Sequence, residues 1–460
     1  MRGLGVSVVD LVWESERTYP DPLRDISVEV AFTSPAGRRV EARAFWDGER
    51  RWRVRVPLDE AGVWLYRVTA SRRDDAGVHE RYGRCRVSAE STAPPAVTVD
   101  GRHLRDQAGR PWLLLGDASW DLLATAGDDA WLRYVGVRRL QGFTAVQCLL
   151  LPSVGAGAPS PVERVGGRLR PRPDRLERLE RRLELLVRHG LVPVLGLFPA
   201  AAPDDLGNTL TEAEAIRLGR YLATRFAAVN PLWLVAVGAD CAGGSGQRWA
   251  RIGHAIFGGG GAPAGILPRQ GQVPSTDLTG GPWVRFIALA GPVPGGDLPD
   301  WPARPLLELE AAAPPAGARG GAEAFRAEIY RALLGLVAAG VGFAASPADG
   351  PAQTAGTQAV SHLRGLLADI PWAELRPAPE AVRSGGPGPG AVAARTRDGR
   401  QLLVYVPEGA RLSLSPGTIR RRSTARWLSP ASGSWCAAGP GAPSTPCDTR
   451  DWLLHVRDDR

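Results

Sequence analysis

Between residues 26 and 89, apolar and polar positions alternate in the runs ISVEVAF, RRVEARAFW, RWRVRV, VWLYRVTA and RCRVSA. One apolar and one polar face per run is the period of a half-buried strand. SPAG at 34–37, WDGE at 46–49 and DEAG at 59–62 supply the turns between them. Short strands at this spacing, with no helical stretch, predict a small β-sandwich over residues 1–93, closed off by APP at 93–95.

From Val97 onward the texture changes. Continuous apolar runs occur at 112–119, 143–151, 191–198, 231–240, 264–268, 285–292, 304–311 and 340–346. Such runs suit parallel strands buried on both faces. Helical patterns lie between most of them. Leu176, Leu179, Leu183 and Leu186 form one stripe over 174–189, which Gly190 ends. Thr211 and Glu214 form a capping box before AIRLGRYLATRFAA, and 322–339 and 357–369 give two more helices. Eight strands with crossovers over residues 94–375 predict a (β/α)8 TIM barrel. An open doubly wound sheet is the alternative, but no GxGxxG follows the first strand. After Ser384, GGPGPG precedes the strand-like QLLVYVP, RLSLSP, ARWLSP and DWLLHV, which predict a small C-terminal β-sandwich over 376–460.

A net charge of +8 points toward nucleic acid until its source is examined. All 56 basic residues are arginine, and they are scattered. Arg175, Arg178, Arg181 and Arg182 sit among Glu177, Glu180 and Glu184, which reads as a solvated helix face with i,i+4 pairs. No basic cluster with interleaved aromatics exists, so no nucleic-acid partner is expected. No run of about 18 apolar residues exists, so no membrane partner is expected either. The start MRGLGVSVVDLVWESE lacks the apolar core of a signal peptide. The expectation is a cytoplasmic chain as encoded, or a secreted one if the true start lies upstream. The five cysteines show no CxxC, and Cys436 and Cys447 are open to either a bridge or free thiols.

Barrel enzymes place their chemistry at the C-terminal strand ends. Most of those ends here are apolar or small. The exceptions are Asp240 on strand four, Glu308 and Glu310 on strand seven, and Asp117 on strand one with Trp120 just beyond. Strand alternation puts Glu308 and Glu310 on one face, and with Leu307 and Leu309 against the helices both would face the mouth as substrate contacts or catalysts. Two carboxylates across a barrel mouth suit glycoside cleavage, where one protonates the leaving oxygen and the other attacks or activates water. The structural alternative is that Asp240 caps the following loop and Glu310 pairs with a core arginine. The six histidines have no metal-ligand spacing, GGSG at 243–246 reads as a loop and not a phosphate cradle, and no metal or cofactor is expected.

The order of these motifs resembles the apiosidase-like glycoside hydrolases. AFTSPAGRRVEARAFWDGERRWRVRVPLDEAGVWLY is similar to the family's immunoglobulin-like leader. GDASW at 116–120, GFTAVQ at 142–147, NPLWLVAVGAD at 230–240 and RPLLELE at 304–310 resemble its barrel strands. LLVYVPEG, WLSPASG at 427–433 and DWLL at 451–454 resemble its C-terminal β domain. The resemblance implies a retaining mechanism with Asp240 as general acid/base and Glu310 as nucleophile. It also implies that Asp117, Trp120 and Gln147 line the sugar subsite, with Trp120 as a stacking platform, and that the partner is an oligosaccharide or polysaccharide. The chain departs from the family pattern at FPAAA (198–202), Leu267-Pro268, ALAGP (288–292) and Ala345-Ser346, where the family carries polar or aromatic residues. A catalytically inactive carbohydrate-binding or scaffold barrel is therefore the second expectation.

Overall fold

The computed structural model describes residues 8–88, 94–259, 261–291, 303–311, 321–336, 338–343, 355–383 and 390–408, together with 410, 412–416, 418, 423–439, 444–447 and 450–458. Ala345 and Ser346 lie outside the described residues.

The eight apolar runs form eight parallel strands: Leu114–Ala118, Ala145–Leu149, Val192–Pro199, Leu232–Ala239, Ala264–Pro268, Ile287–Leu289, Leu306–Ala311 and Gly340–Phe343. They pair in sequence order, and the eighth returns to the first through Leu114 opposite Gly340. Closure between the fifth and sixth strands is a single parallel bridge from Ala264 to Val284, reinforced by the Arg285 amide donating to the Ala264 carbonyl at 2.7 Å. A (β/α)8 barrel results, as the continuous apolar runs predict.

Two cores follow from strand alternation. Leu114, Ala145, Val192, Val194, Leu232, Leu234, Leu267, Ala288, Leu307 and Leu309 fill the barrel interior. Leu115, Val146, Cys148, Leu195, Leu197, Ile266, Ile287 and Val341 face the helices instead. The bottom of the barrel is plugged by three short antiparallel strands, Thr98–Asp100, His103–Arg105 and Pro111–Trp112, which press Leu104 and Trp112 onto the inner cluster. This plug carries no periodic signal and was not expected from the sequence.

The outer helices include Asp128–Leu140, Pro173–Arg188, Glu212–Phe226, Gly243–Phe257, Gly321–Tyr330 and Ala355–Ala368. The stripe Leu176, Leu179, Leu183, Leu186 is buried, and the Thr211–Glu214 capping box is present. GGSG at 243–246 is the first turn of a helix and not a loop, because Trp249, Ile252 and Gly253 pack that segment against the barrel. The charged helix is solvated only in part. Arg181 pairs with Glu177 at the surface, but Glu180 is buried between Arg225 and Arg55. Arg182 is buried too, its guanidinium donating to Asp128 and to the Leu123 carbonyl.

The N-terminal sheet runs in the order Val8–Glu14, Arg51–Pro57, Arg39–Trp46, Val28–Thr33, Gly62–Ala70, Arg81–Val87, all antiparallel. Only Phe45 and Trp46 of the third strand pair with the fourth, so this strand passes from one layer to the other over a core of Val28, Val30, Phe32, Trp52, Val54 and Trp64. Arg225 ties this domain to the barrel through Asp47 at 2.9 Å. The C-terminal sheet orders Leu375–Pro377, Val392–Thr396, Gln401–Val406, Trp452–Asp458, Ser423–Leu428 and Trp435–Ala437. Cys436 is exposed and Cys447 half-buried, the Cys447 carbonyl accepting from the Trp452 indole N–H at 3.1 Å. No helix among the described residues is long and apolar enough to cross a membrane.

Candidate active site

The mouth is built from the ends of the first, second, fourth and seventh strands. On the seventh strand, Leu307 and Leu309 point into the barrel and not toward the helices. Glu308 therefore points out. Its carboxylate is fully buried against the guanidinium of Arg331, 2.9 and 3.0 Å from Nη2, and Arg331 also binds Glu328. Glu308 is thus a structural ion pair behind the strand and not a residue of the mouth. Burial, with Glu328 on the same arginine, pushes the Glu308 carboxyl well above the ordinary glutamate value. Glu328 is the better solvated partner, and its hydrogen bond to Arg331 shifts its carboxyl down.

Glu310 escapes that fate through a β-bulge. Opposite the eighth strand, Glu308 pairs with Val341 and Ala311 with Phe343, so three steps on one strand match two on the other. An extra residue reverses the side-chain alternation. Leu309 stays inside, and Glu310 turns to the inner side as well, where its Oε1 accepts a hydrogen bond from the Trp120 indole. Burial raises the Glu310 carboxyl above the ordinary glutamate value, and the indole N–H opposes that shift by favouring the ionised form. Trp120 rests half-buried on the inner cluster and holds the Leu149 amide through its carbonyl at 2.7 Å.

Asp240 follows a second irregularity. The fourth strand shifts register twice against the fifth, and Gly238 adopts φ +72° where a Cβ would lie 2.7 Å from the Ala201 side chain. That turn lifts Asp240 onto the rim, half-exposed, where its Oδ1 accepts from the Ala242 amide at 3.1 Å and from Gln272 Nε2 at 3.5 Å. Gln272 in turn accepts from the Cys241 amide at 3.3 Å, so one side chain from the loop after strand five braces the end of strand four. Sequence reasoning missed Gln272, since a glutamine in a Gly/Pro-rich loop carries no pattern.

The remaining expected residues divide. Asp117 faces outward and is fully buried, accepting from Arg138 Nε at 2.6 Å, Tyr134 OH at 2.5 Å and Ser119 at 3.2 Å. The cause is again alternation: Leu114 and Gly116 face the interior, so Asp117 faces the helix Asp128–Leu140. It anchors that helix and faces away from the barrel interior. Gln147 lies inside the barrel and fully buried, donating to the Leu309 carbonyl at 3.0 Å. Around the mouth, Ala200, Leu267, Pro268 and Ala290 are buried and apolar. Among the described residues, no three His, Cys, Asp or Glu side chains stand close enough to hold a metal ion.

The fold has counterparts. Residues 98–289 match the model of the apiosidase-like catalytic domain, and residues 7–71 match the domain of unknown function DUF5060. Glu308 and Glu310 lie beyond the matched spans. A "putative glycoside hydrolase" from Bacteroides vulgatus ATCC 8482 is 14% identical and superposes with a TM-score of 0.73 over 98% of this chain and 98% of that one. A glycoside hydrolase family 5 structure from the same organism is 18% identical, with a TM-score of 0.63 over 79% of this chain and 94% of that one. At these identities the likeness is one of fold. Comparison with curated proteins gives no match. The barrel thus has a glycoside hydrolase-like fold, and residues 98–289, which contribute Trp120 and Asp240 to the mouth, are similar to the apiosidase-like catalytic domain.

Proposed function

We propose that the barrel hydrolyses a glycosidic bond of a plant or microbial glycan with retention of anomeric configuration. The observation that carries this reading is the bulge that turns Glu310, alone of the two glutamates on its strand, to the inner side against Trp120. A carboxylate drawn half out of water is costly unless it is hydrogen-bonded or paired. Glu310 has one oxygen held by the indole, which leaves Oε2 to attack the anomeric carbon. As that bond forms, the bond from the anomeric carbon to the leaving oxygen breaks, and Asp240 delivers a proton to that oxygen. Water then cleaves the glycosyl ester, with Asp240 taking its proton. Trp120 offers the remaining ring surface to the sugar.

The test is turnover of a panel of aryl glycosides that includes an aryl apioside, with wild type beside Glu310→Gln. Activity in wild type and its loss in the variant support the reading. Azide assigns the roles: Glu310→Ala rescued by azide yields the inverted glycosyl azide, and Asp240→Ala yields the retained one. Exchanged outcomes would exchange the roles. A second reading, a barrel that binds a glycan without cleaving it, is favoured by the apolar strand ends Ala200, Leu267 and Ala290. Binding in both proteins with turnover in neither would put it first.

A further inference from the structure

The bulge at Leu309–Glu310 needs something to hold it, and the interior of the barrel supplies it. Gln147 sits at the middle of the second strand, fully buried in an otherwise apolar layer, and its Nε2 donates to the Leu309 carbonyl at 3.0 Å. That carbonyl belongs to the bulge. Two glycines make the reach possible. A Cβ on Gly342 would lie 2.1 Å from Gln147 Nε2 and 2.4 Å from the Leu309 oxygen, and one on Gly116 would lie 3.2 Å from the same amide nitrogen. Neither glycine has a positive φ, so space and not backbone freedom is what each contributes. A buried amide in an apolar core costs a few kcal/mol unless it is bonded, which makes its single donor contact decisive for the local geometry.

We infer that Gln147 is a positioning residue for Glu310: it clamps the Leu309 carbonyl across the barrel, fixes the extra residue of the seventh strand, and so keeps Glu310 turned to the mouth and away from the outer face that Glu308 occupies. Gly342 and Gly116 are the notches that admit the clamp. This places Gln147 under the reacting groups as a support and not in the subsite as a sugar ligand. The inference rests on the proposed role of Glu310, but its geometry can be read without any turnover.

The readout is the indole N–H resonance of Trp120 in tryptophan-labelled protein, assigned among the 15 tryptophans by Trp120→Phe. In wild type this resonance is expected to titrate with the carboxyl it touches, and Glu310→Gln to remove that titration. Gln147→Leu, close in size but without the donor, is expected to lose the same titration while the far-ultraviolet spectrum and the other indole resonances stay in place. Gly342→Ala is expected to do likewise. Gln147→Glu keeps a donor only while protonated, so the Trp120 signature should return toward acid pH in that variant and not in Gln147→Leu. Where a substrate is found, kcat should fall about a hundredfold, as expected for a reacting group misplaced by about an ångström, with KM within about twofold. An unchanged Trp120 titration in a folded Gln147→Leu protein overturns the inference. A lost titration together with an inactive wild type would overturn the proposed hydrolysis and leave the clamp standing.

Discussion

Arg326 offers the sharpest test of how the barrel is fastened to the C-terminal sheet. It lies on the helix that follows the seventh strand, only 3% exposed, and grips Asp451 with two hydrogen bonds of 2.7 Å. Asp451 is 1% exposed and, among the described residues, has one other side-chain donor, the Tyr405 hydroxyl at 3.1 Å, whose ring stacks on Tyr330 at 4.7 Å. Replacing Arg326 by Met fills much of its volume but strands a buried carboxylate with a single neutral donor. Breaking a buried pair from one side costs about 3–5 kcal/mol, a third or more of a typical domain's stability. Replacing both partners, as Arg326→Met with Asp451→Leu, should cost little, because the stranded charge is then gone. A chain of several domains does not unfold in one step, so the measurement is amide exchange in Gly321–Tyr330 and Trp452–Asp458. The single variant should exchange there about two to three and a half orders of magnitude faster, and the double variant close to wild type. A change under about tenfold in the single variant, or equal acceleration in both, would refute the reasoning.

Other outcomes follow from the site. Trp120→Phe removes the N–H that favours ionised Glu310, so its carboxyl should titrate at higher pH and the acid limb of kcat/KM should move up; a limb that stays or moves down rejects Glu310 as the ionised nucleophile. Glu308 has its folded value raised, so it contributes stability that is complete below the ordinary glutamate range and is lost as pH rises through the elevated value. Glu308→Gln should abolish that alkaline loss in thermal melts while leaving neutral stability nearly unchanged. Asp117→Ala strands Arg138 behind the first strand and should lower stability by about 3–5 kcal/mol, yet leave KM within about twofold for any substrate found. A large rise in KM with normal stability would restore Asp117 to the sugar subsite.

Periodicity carried the fold. Continuous apolar runs marked all eight barrel strands, and the stripe from Leu176 to Leu186 marked a helix at the right place. What escaped is what periodicity does not encode. The plug at 98–112 consists of strands two or three residues long, too short to show alternation. The first turn of the helix over Gly243–Phe257 is GGSG and was hidden by its glycines, since the stability of that turn comes from the burial of Trp249 and Ile252 further along and not from helix propensity. Glu180 and Arg182 looked like members of a solvated face and are buried, because the N-terminal sheet and the first barrel helix cover that side.

The carboxylates show why a site is harder to read than a scaffold. Asp117, Glu308 and Glu310 all follow apolar runs near strand ends, and alternation alone gives Glu308 and Glu310 the same face. The structure separates them by one inserted residue, visible only in the pairing with the eighth strand, and that pairing is a long-range property no local window contains. Once the faces are known, the partners explain themselves. The two outward carboxyl groups each meet a guanidinium, Arg138 or Arg331, in a buried pair behind the strand. Glu310 meets the neutral indole of Trp120, which orients a carboxylate without cancelling its charge. A carboxylate that must attack an electrophilic carbon needs that second kind of partner, and the bulge is what exchanges one kind for the other.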